Sequence, residues 1–165
     1  MQSDTILVLN TGSSSLKFSL IKADDQQVVF SGLADKLGHP DATISFRTVD
    51  GKAEMPLSPG NHKQAVTEIF SYVKKQGLSN TIAGVGHRVV HGGENFKHST
   101  IIDENVLSVI EACVPFAPLH NPANLVGIRG AMEVAPNLPQ VAVFDTAFHQ
   151  TIPQHAYLYA VPMNW

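Results

Sequence analysis

The chain has 165 residues, of which 44% are hydrophobic and 15% are charged, a composition typical of one globular domain. Its formal net charge of −3 and the lack of a dense basic run argue against a nucleic-acid footprint or a polybasic membrane patch. Cys113 is the single cysteine, so no intrachain disulfide can form. Without a signal-like N-terminus or an apolar run of roughly 20 residues, the sequence predicts a cytoplasmic protein with no membrane helix.

The segment from residue 5 to residue 21 predicts a β-hairpin around a turn that is rich in hydroxyl groups. Residues 6–9 are apolar at every position, which predicts a central strand covered on both faces and ending at Asn10. Residues 16–20 alternate like a returning strand. The turn between them has four hydroxyls and one glycine, Gly12, that is free to take a positive φ angle.

The turn of this hairpin also predicts an anion site. Small side chains allow backbone N–H groups to converge on an anion, and Lys17 adds a mobile positive charge beside them. These features favour phosphate binding, although the P-loop spacing is missing and a strand follows in place of a helix. A serine-rich turn that binds no ligand explains the same residues.

The next part of the chain predicts an antiparallel sheet and a helix that covers it. Three segments have the composition of strands: residues 27–33, 43–49 and 53–57. The last two are separated by the turn pair Asp50 and Gly51. From Asn61 the apolar residues recur at three- and four-residue spacing, and Gly77 stands at the position of a C-terminal cap, which predicts an amphipathic helix.

Residues 82–90 predict a further strand, with a charged residue among apolar neighbours. A period of two places Arg88 and Val90 on the same face of this strand. A positive charge beside a small apolar group suits a short carboxylate ligand. A salt bridge at the end of the strand, for example from Arg88 to Glu94, is the alternative interpretation.

Two helices and a short strand are predicted after that. Asp103 is expected to cap a helix through Cys113, and the pair Asn121-Pro122 has the order of a cap followed by proline that begins a second helix. Residues 141–144 predict a buried strand with Asp145 at its C-terminal tip, where sheet-based sites gather polar groups. A turn-initiating aspartate is the alternative for Asp145.

Histidines raise the possibility of a metal site. His87, His91 and His98 lie within twelve residues of one another, among eight histidines in the chain. They fall on a predicted strand and turn, and no acidic or cysteine partner stands at ligand spacing. We therefore do not expect a zinc site here.

Four segments of the chain resemble the acetokinase family, within the superfamily of actin, sugar kinases and heat-shock proteins: LVLNTGSSSLKFSLI, GHRVVHGGENF, FAPLHNPANLVGI and VAVFDTAFHQTIP. Members of this family are more than twice as long. The resemblance therefore implies that residues 1–165 are an N-terminal acetate-binding domain that stops before a C-terminal nucleotide-binding domain. The implied fold is α/β, a ribonuclease-H-like domain of the actin-like ATPase kind, with a mixed five-stranded sheet and flanking helices.

The activity implied by the resemblance is phosphoryl transfer. Family members convert acetate and ATP reversibly into acetyl phosphate and ADP with Mg²⁺, and they are usually homodimers through the C-terminal domain. The chain on its own is expected to show no turnover, because half of a cleft lacks the donors on its far side. Propionate or butyrate kinase, and a non-catalytic phosphate- or nucleotide-binding module, are the alternatives.

The family's site residues match positions in this sequence. Asp145 matches the catalytic carboxylate, and Arg88 resembles the acetate-binding residue. Three residues are assigned to the rest of the acetate pocket: Val90, Leu119 and His120. Three residues are assigned to the nucleotide phosphates: Lys17, Ser13 and Ser15. The two serines would bind through the backbone amides of their turn. Asn10 resembles the magnesium-site residue. Because acetate is already ionised at neutral pH, we interpret Asp145 as an orienting group for Arg88 or for magnesium-bound water.

Overall fold

Eight strands form one mixed sheet in the computed structural model, which describes residues 5–162. The strands are β1 (Thr5–Thr11), β2 (Leu16–Lys22), β3 (Val28–Asp35), β4 (Thr43–Thr48), β5 (Gly51–Pro56), β6 (Ile82–Val89), β7 (Thr100–Ile101) and β8 (Gln140–Phe144). The α-helices are α1 (His62–Lys75), α2 (Glu104–Ala112), α3 (Asn121–Val134) and the four-residue α4 (Gln154–Tyr157). Short 3₁₀ helices span Ser79–Thr81, Val114–Phe116 and Asp145–Thr151.

The order of strands in the sheet is β5-β4-β3-β2-β1-β6-β8-β7. Strands β1 to β5 form the predicted antiparallel meander, and β6 and β8 continue the sheet in parallel with β1. The two-residue β7 pairs antiparallel with β8. The count of five strands implied by the family resemblance is therefore wrong. β4 and β5, which the residue pattern predicted, widen one edge of the sheet, and β7 widens the other.

The predicted helix boundaries follow local capping chemistry. The side chain of Asn61 accepts a hydrogen bond from the backbone N–H of Gln64 at 2.8 Å, and Asp103 accepts one from Val106 at 2.8 Å. Such caps satisfy amide donors that have no partner inside a helix. Gly77 follows α1 with a φ of 71°, which a residue without a Cβ adopts at little cost. Both predicted helix starts are confirmed.

The start of α3 differs from its prediction by one residue. His120 stands at the N-cap position and makes no capping hydrogen bond, while Asn121 is the first helical residue and is fully buried. The proline at position 122 suits the first turn of the helix, where its missing N–H costs nothing. Asn121 is therefore not a cap, and its side chain serves the loop after β6, as described below.

The helices leave one face of the sheet open in the described part of the chain. Leu7 and Leu9 point toward α1 and α3 and are 0% and 1% exposed. Their neighbours on the other face are only half buried or are exposed: Ile6, Val8, Gly86, Val141 and Val143. We call these two sides the covered face and the open face. The expectation that residues 6–9 are covered on both faces is wrong within residues 5–162.

The open face has an apolar hollow over its central strands. The hollow has a volume of about 490 Å³ and lies between β1 and β8, above Gly86. A Cβ added to Gly86 would meet only Ile6, at 3.9 Å, so the backbone of β6 is uncovered at this point. No helix among the described residues has the length and apolar composition needed to cross a bilayer.

Candidate functional site

The C-terminal ends of three neighbouring strands bring Asn10, Arg88 and Asp145 together. Asn10 lies near the end of β1, Arg88 near the end of β6, and Asp145 directly after β8. These three strands run parallel, so their C-terminal ends lie at the same edge of the sheet. The predicted strand end at Asn10 moves by one residue, because β1 continues to Thr11, which pairs with Leu16 of the hairpin.

Arg88 and Asp145 form a bidentate ion pair. The Nη2 group of Arg88 donates to Oδ2 of Asp145 at 2.6 Å, and Nε lies 3.1 Å from Oδ1 and 3.0 Å from Oδ2. The side chains remain 50% and 40% exposed, so the pair faces solvent. The hydrogen bond to Asp145 is the main cause that raises the pKa of Arg88 above its ordinary value. Asp145, and not Glu94, is the acidic partner of Arg88.

Asn10 links this pair to the hairpin. Its Oδ1 atom accepts a hydrogen bond from Nη1 of Arg88 at 3.3 Å. Asn10 lies directly opposite Lys17 in the register of β1 and β2, so the lysine leaves the sheet beside the same cluster. Lys17 is exposed and, among the described residues, forms no ion pair. Lys17 on β2 and Arg88 on β6 therefore flank the strand of Asn10, and Asp145 lies on the far side of Arg88 after β8.

The turn between β1 and β2 is held from several sides. The backbone N–H of Gly12 donates to the carbonyl of Ser15 at 2.8 Å, and Nε2 of His62 bonds to the carbonyl of Gly12 at 2.8 Å. The backbone N–H of Leu37 donates to the carbonyl of Ser14 at 2.8 Å. Gly12 does not adopt the positive φ that its residue type allows. Hydrogen bonds therefore occupy these carbonyls of the turn, and Ser13 and Ser14 are exposed at its tip.

The residues expected to form the acetate pocket are spread over two loops. Val90 lies just beyond β6, since the strand ends at Val89, and it is half buried. The shared face predicted for Arg88 and Val90 therefore no longer follows from strand geometry. Leu119 is 77% exposed and His120 is also exposed, in the turn before α3. Within residues 5–162 no hydrogen bond joins either side chain to Arg88, and their role as pocket walls stays a prediction.

Two buried asparagines at the start of α3 make contacts that the sequence did not predict. Asn121 bonds to the backbone of His91 and to the carbonyl of Ile110, and Asn124 bonds to the backbone of Val90 and of Thr11. Both side chains are at most 4% exposed. The spacing of three residues, which puts two amides on one helix face, was the available signal. The loops that carry the site are thus fixed to α3.

The histidines considered as metal ligands have separate environments. His87 is 2% exposed in the core, where Nε2 bonds to Oε1 of Gln140 at 2.8 Å. Burial lowers the pKa of His87, which favours the neutral ring. His91 accepts a hydrogen bond from the backbone of Gly93 and stacks on Phe116. In the described part of the chain, no three histidine, cysteine or acidic groups are arranged to hold a metal ion.

Comparison with known families shows to which family the chain belongs. The family model described as the Acetokinase family matches residues 5–165. The chain belongs to the acetokinase family. Acetate kinase of Chromobacterium violaceum is 51% identical over 160 residues, which are 97% of this chain and 40% of that protein. The chain therefore spans about two-fifths of the length of the curated relative that it matches.

Solved structures confirm the α/β fold that the resemblance implies. A propionate kinase from Francisella tularensis matches with a TM-score of 0.91 and 42% identity, over 98% of this chain and 42% of that one. Acetate kinase from Porphyromonas gingivalis matches with a TM-score of 0.90 and 41% identity over the same shares of the chains. The acetokinase fold of this chain thus corresponds to one part of a longer structure in these relatives.

Proposed function

We propose that residues 1–165 are the N-terminal, acetate-binding domain of an acetate kinase, which transfers the γ-phosphoryl group of ATP reversibly to acetate. One observation carries the proposal within an acetokinase chain. A guanidinium at the carboxyl edge of the sheet is held by a carboxylate while half of its side chain remains exposed to solvent. An oriented guanidinium of this kind suits a small carboxylate substrate.

The hydrogen-bond geometry of Arg88 supports this binding role. A guanidinium has five N–H groups, and Asp145 uses those along the edge formed by Nε and Nη2. Asn10 accepts one N–H of Nη1. One N–H of Nη1 and one of Nη2 remain, and in this proposal Asn10 takes the Nη1 hydrogen on the Cδ side, so that the remaining two form the end of the fork. The two can donate in parallel to both oxygens of acetate, which the ammonium of a lysine cannot do.

The carboxylate of Asp145 acts in this proposal by orienting Arg88. Acetate is ionised at neutral pH, so its oxygen can attack phosphorus without losing a proton, and no general base is needed. The bidentate contact restrains the long arginine side chain before the substrate arrives. A restrained cation stabilises charge that develops during transfer without having to reorganise.

The positive groups at the hairpin fit the phosphates of the nucleotide. Lys17 leaves the sheet beside Asn10, and the turn that presents Ser13 and Ser15 is held by contacts behind it. Phosphoryl transfer depends chiefly on positioning and on positive charge around the γ-phosphoryl oxygens. We propose that Lys17 and the amides of this turn supply part of that charge.

Mg²⁺ is the metal that this function requires, and the side chains present fit an ion that arrives on the nucleotide. Asn10 and Asp145 carry the oxygen atoms that Mg²⁺ prefers, but both already accept hydrogen bonds from Arg88. They would hold the ion through its water molecules, since Mg²⁺ gives up its hydration reluctantly. The bound ion would neutralise charge on the phosphates.

The chain alone is proposed to lack turnover, because its site is one wall of a cleft. Arg88 and Asp145 are about half exposed to solvent, and the open face beside them is uncovered. Transfer needs donors on the far side of the phosphoryl group and exclusion of water. Loss of one such donor typically costs ~10²–10³ in rate. We propose that residues 1–165 belong to a longer kinase, called the longer protein or the longer kinase below, and that its other domain supplies this second wall and the nucleotide pocket.

A coupled kinase assay tests the proposal. The longer protein should form acetyl phosphate from ATP and acetate with Mg²⁺, and the purified 165-residue chain should not. As a matched control, Lys36→Ala removes a different exposed ion pair, between Lys36 and Asp41 at 2.9 Å, and should leave the activity of the longer protein unchanged. Robust turnover by the 165-residue chain, or none by the longer protein, would contradict the proposal.

Propionate is the second candidate acceptor, since the structurally similar Francisella protein is a propionate kinase. Acetate and propionate differ by one methylene, which a pocket distinguishes by about 1–3 kcal/mol. The ratio of kcat/KM for the two acids, measured on the longer protein, decides between them. The same measurement with butyrate tests that acid as well.

A binding module without catalysis would show nucleotide binding but no phosphoryl transfer. The cytoplasmic location and the homodimer stay predictions.

A further inference from the structure

Asn124, on the first turn of α3, bridges the ends of the two strands that carry the site. Its Nδ2 group donates to the carbonyl of Thr11 at 2.7 Å, and its Oδ1 atom accepts from the backbone N–H of Val90 at 3.1 Å. Thr11 is the last residue of β1, and Val90 follows the last residue of β6. The side chain is 4% exposed, so these hydrogen bonds are shielded from water.

The bridge begins where the pairing of the strands ends. The parallel register of β1 and β6 runs as far as Leu9 and His87. A primary amide has the same donor and acceptor groups as a peptide unit. The carboxamide of Asn124 therefore takes the place of the next ladder hydrogen bonds and joins the two strand ends through one side chain.

Close packing of α3 keeps the bridge in place. A Cβ added to Gly127, one turn after Asn124, would collide with the side chain of Thr11. At Gly130, one turn further, an added Cβ would have its nearest neighbours at 3.9 Å. The helix thus approaches the end of β1 only as closely as a glycine at position 127 allows, and Asn124 reaches both strands from there.

Asn121 makes a different connection. It binds the N–H and the carbonyl of His91 and donates to the carbonyl of Ile110 at the end of α2. It fixes the loop after β6 to α2 and makes no hydrogen bond to β1 among the described residues. The two asparagines are similar in burial and location but differ in what they join.

We propose that Asn124 is a positioning residue that sets the distance between the two halves of the site. Asn10 precedes Thr11 on β1, and Arg88 lies two residues before Val90 on β6. This inference rests on the proposed function, in which β1 leads into the hairpin turn that serves the nucleotide phosphates and β6 carries the guanidinium that binds the carboxylate acceptor. Without the bridge, each half retains its own side chains, but the phosphoryl group of ATP and the carboxylate of acetate no longer meet at the required distance.

The kinetic test uses the longer kinase and compares kcat with KM. Asn124→Ala should lower kcat by about 100-fold, the effect of a misplacement of roughly 1 Å. The KM values for acetate and for ATP should stay within about threefold of wild type, because each substrate binds mainly to one half. A smaller folded fraction would also lower the apparent kcat at constant KM, so kcat is calculated per folded enzyme, with the folded fraction of each variant measured by urea denaturation.

Two glycine variants provide an independent route and its control. Gly127→Ala removes no hydrogen bond but pushes α3 away from Thr11, so it should show the same selective loss of kcat. Gly130→Ala makes the same chemical change one turn later without a clash and should keep wild-type kinetics. Wild-type kcat in Asn124→Ala, a rise of KM for acetate in proportion to the fall in kcat, or equal losses in both glycine variants would overturn the proposal.

Amide exchange separates a failure of this proposal from a failure of the proposed function. In the 165-residue chain, the Val90 amide should exchange about tenfold faster in Asn124→Ala than in wild type, and at the wild-type rate in Gly130→Ala. If this occurs but the longer protein does not phosphorylate acetate, the bridge stands and the proposed function is wrong. If acetate is phosphorylated and the Val90 amide does not respond, the bridge is wrong.

Discussion

The covered face and the open face of the sheet come from the same strands but have different composition. On β1, Leu7 and Leu9 pack against helices, while Ile6, Val8 and Asn10 point to the other side. The covered face is filled with aliphatic and aromatic side chains and accounts for most of the buried core. The open face has a hollow of about 490 Å³ and ends at the polar cluster of Asn10, Arg88 and Asp145.

Because of this difference, substitutions on the two faces of β1 should affect different properties: stability on the covered face and the proposed activity on the open face. Burial of apolar area stabilises the fold, so the covered face should dominate the free energy of unfolding. Exposed ion pairs contribute little to stability, so the cluster on the open face should affect the proposed chemistry more than the free energy of unfolding. Successive residues of β1 therefore have unequal effects on stability and on activity.

The largest effect on stability is expected from adjacent residues of β1. Leu7→Ala should lower the free energy of unfolding of the 165-residue chain by about 2–5 kcal/mol, because it leaves a cavity in the core. Val8→Ala should lower it by about 1 kcal/mol or less. Urea denaturation of both variants measures the difference. If the open face is covered in the longer protein, Val8→Ala should lower the free energy of unfolding by more there than in the 165-residue chain. Equal losses for Leu7→Ala and Val8→Ala in the 165-residue chain would contradict the contrast between the two faces.

On the open face, Arg88→Ala should reduce activity with little change in stability. In the longer kinase we expect kcat to fall by ~10²–10³ and the KM for acetate to rise, since the guanidinium binds the carboxylate and stabilises developing charge. Arg88→Lys should restore little, because a lysine cannot donate along two parallel bonds. Steady-state kinetics with acetate as the varied substrate check this. Wild-type kinetics in Arg88→Ala would remove the residue from the site.

Asp145→Asn distinguishes an orienting carboxylate from a general base. It should lower kcat in the longer kinase by about 100-fold, because Arg88 loses its bidentate partner, while the remaining activity stays independent of pH near neutrality. A kcat titration near neutrality in the wild type that disappears in the variant would instead identify Asp145 as a base. Thermal unfolding of both proteins gives the matched control, since an exposed ion pair should change stability little.

A smaller effect is expected at the end of β6. Val90→Ala should improve propionate relative to acetate by about 1–3 kcal/mol in kcat/KM, if Val90 lines the methyl pocket as the family resemblance implies. Competition between the two acids in one assay of the longer kinase measures the ratio directly. An unchanged ratio would place Val90, which lies beyond the regular strand, outside the pocket.

The smallest effect is a pH dependence that originates on the covered face. Burial lowers the pKa of His87 below 6.5, so below that pH the unfolded chain binds more protons than the folded chain. The free energy of unfolding should therefore decrease as the pH falls from 6.5 toward the folded pKa, by at most about 1.4 kcal/mol per pH unit. His87→Gln should flatten this dependence and the exposed His155→Gln should not. Equal slopes in all three proteins would contradict it.

Local signals in the sequence were sufficient for most of the secondary structure. Asn61 and Asp103 cap helices because a side chain bonds to an amide three residues away, and such contacts depend only on neighbours in the chain. Residues 100–101 and 154–157 form short elements that were not predicted, since neither segment is long enough to show a period. The sequence motifs of the acetokinase family were also enough to single out Arg88 and Asp145 as candidate site residues.

Tertiary structure decided how those residues are joined. Arg88 and Asp145 are 57 residues apart, and Asn124 and Thr11 are 113 apart, so each contact depends on the register of the whole sheet and on the approach of α3. The apolar run at residues 6–9 predicted a central strand, but it could not show that one face lacks a helix among the described residues. Composition and spacing determine which side chains a strand presents, and only long-range packing determines what they meet.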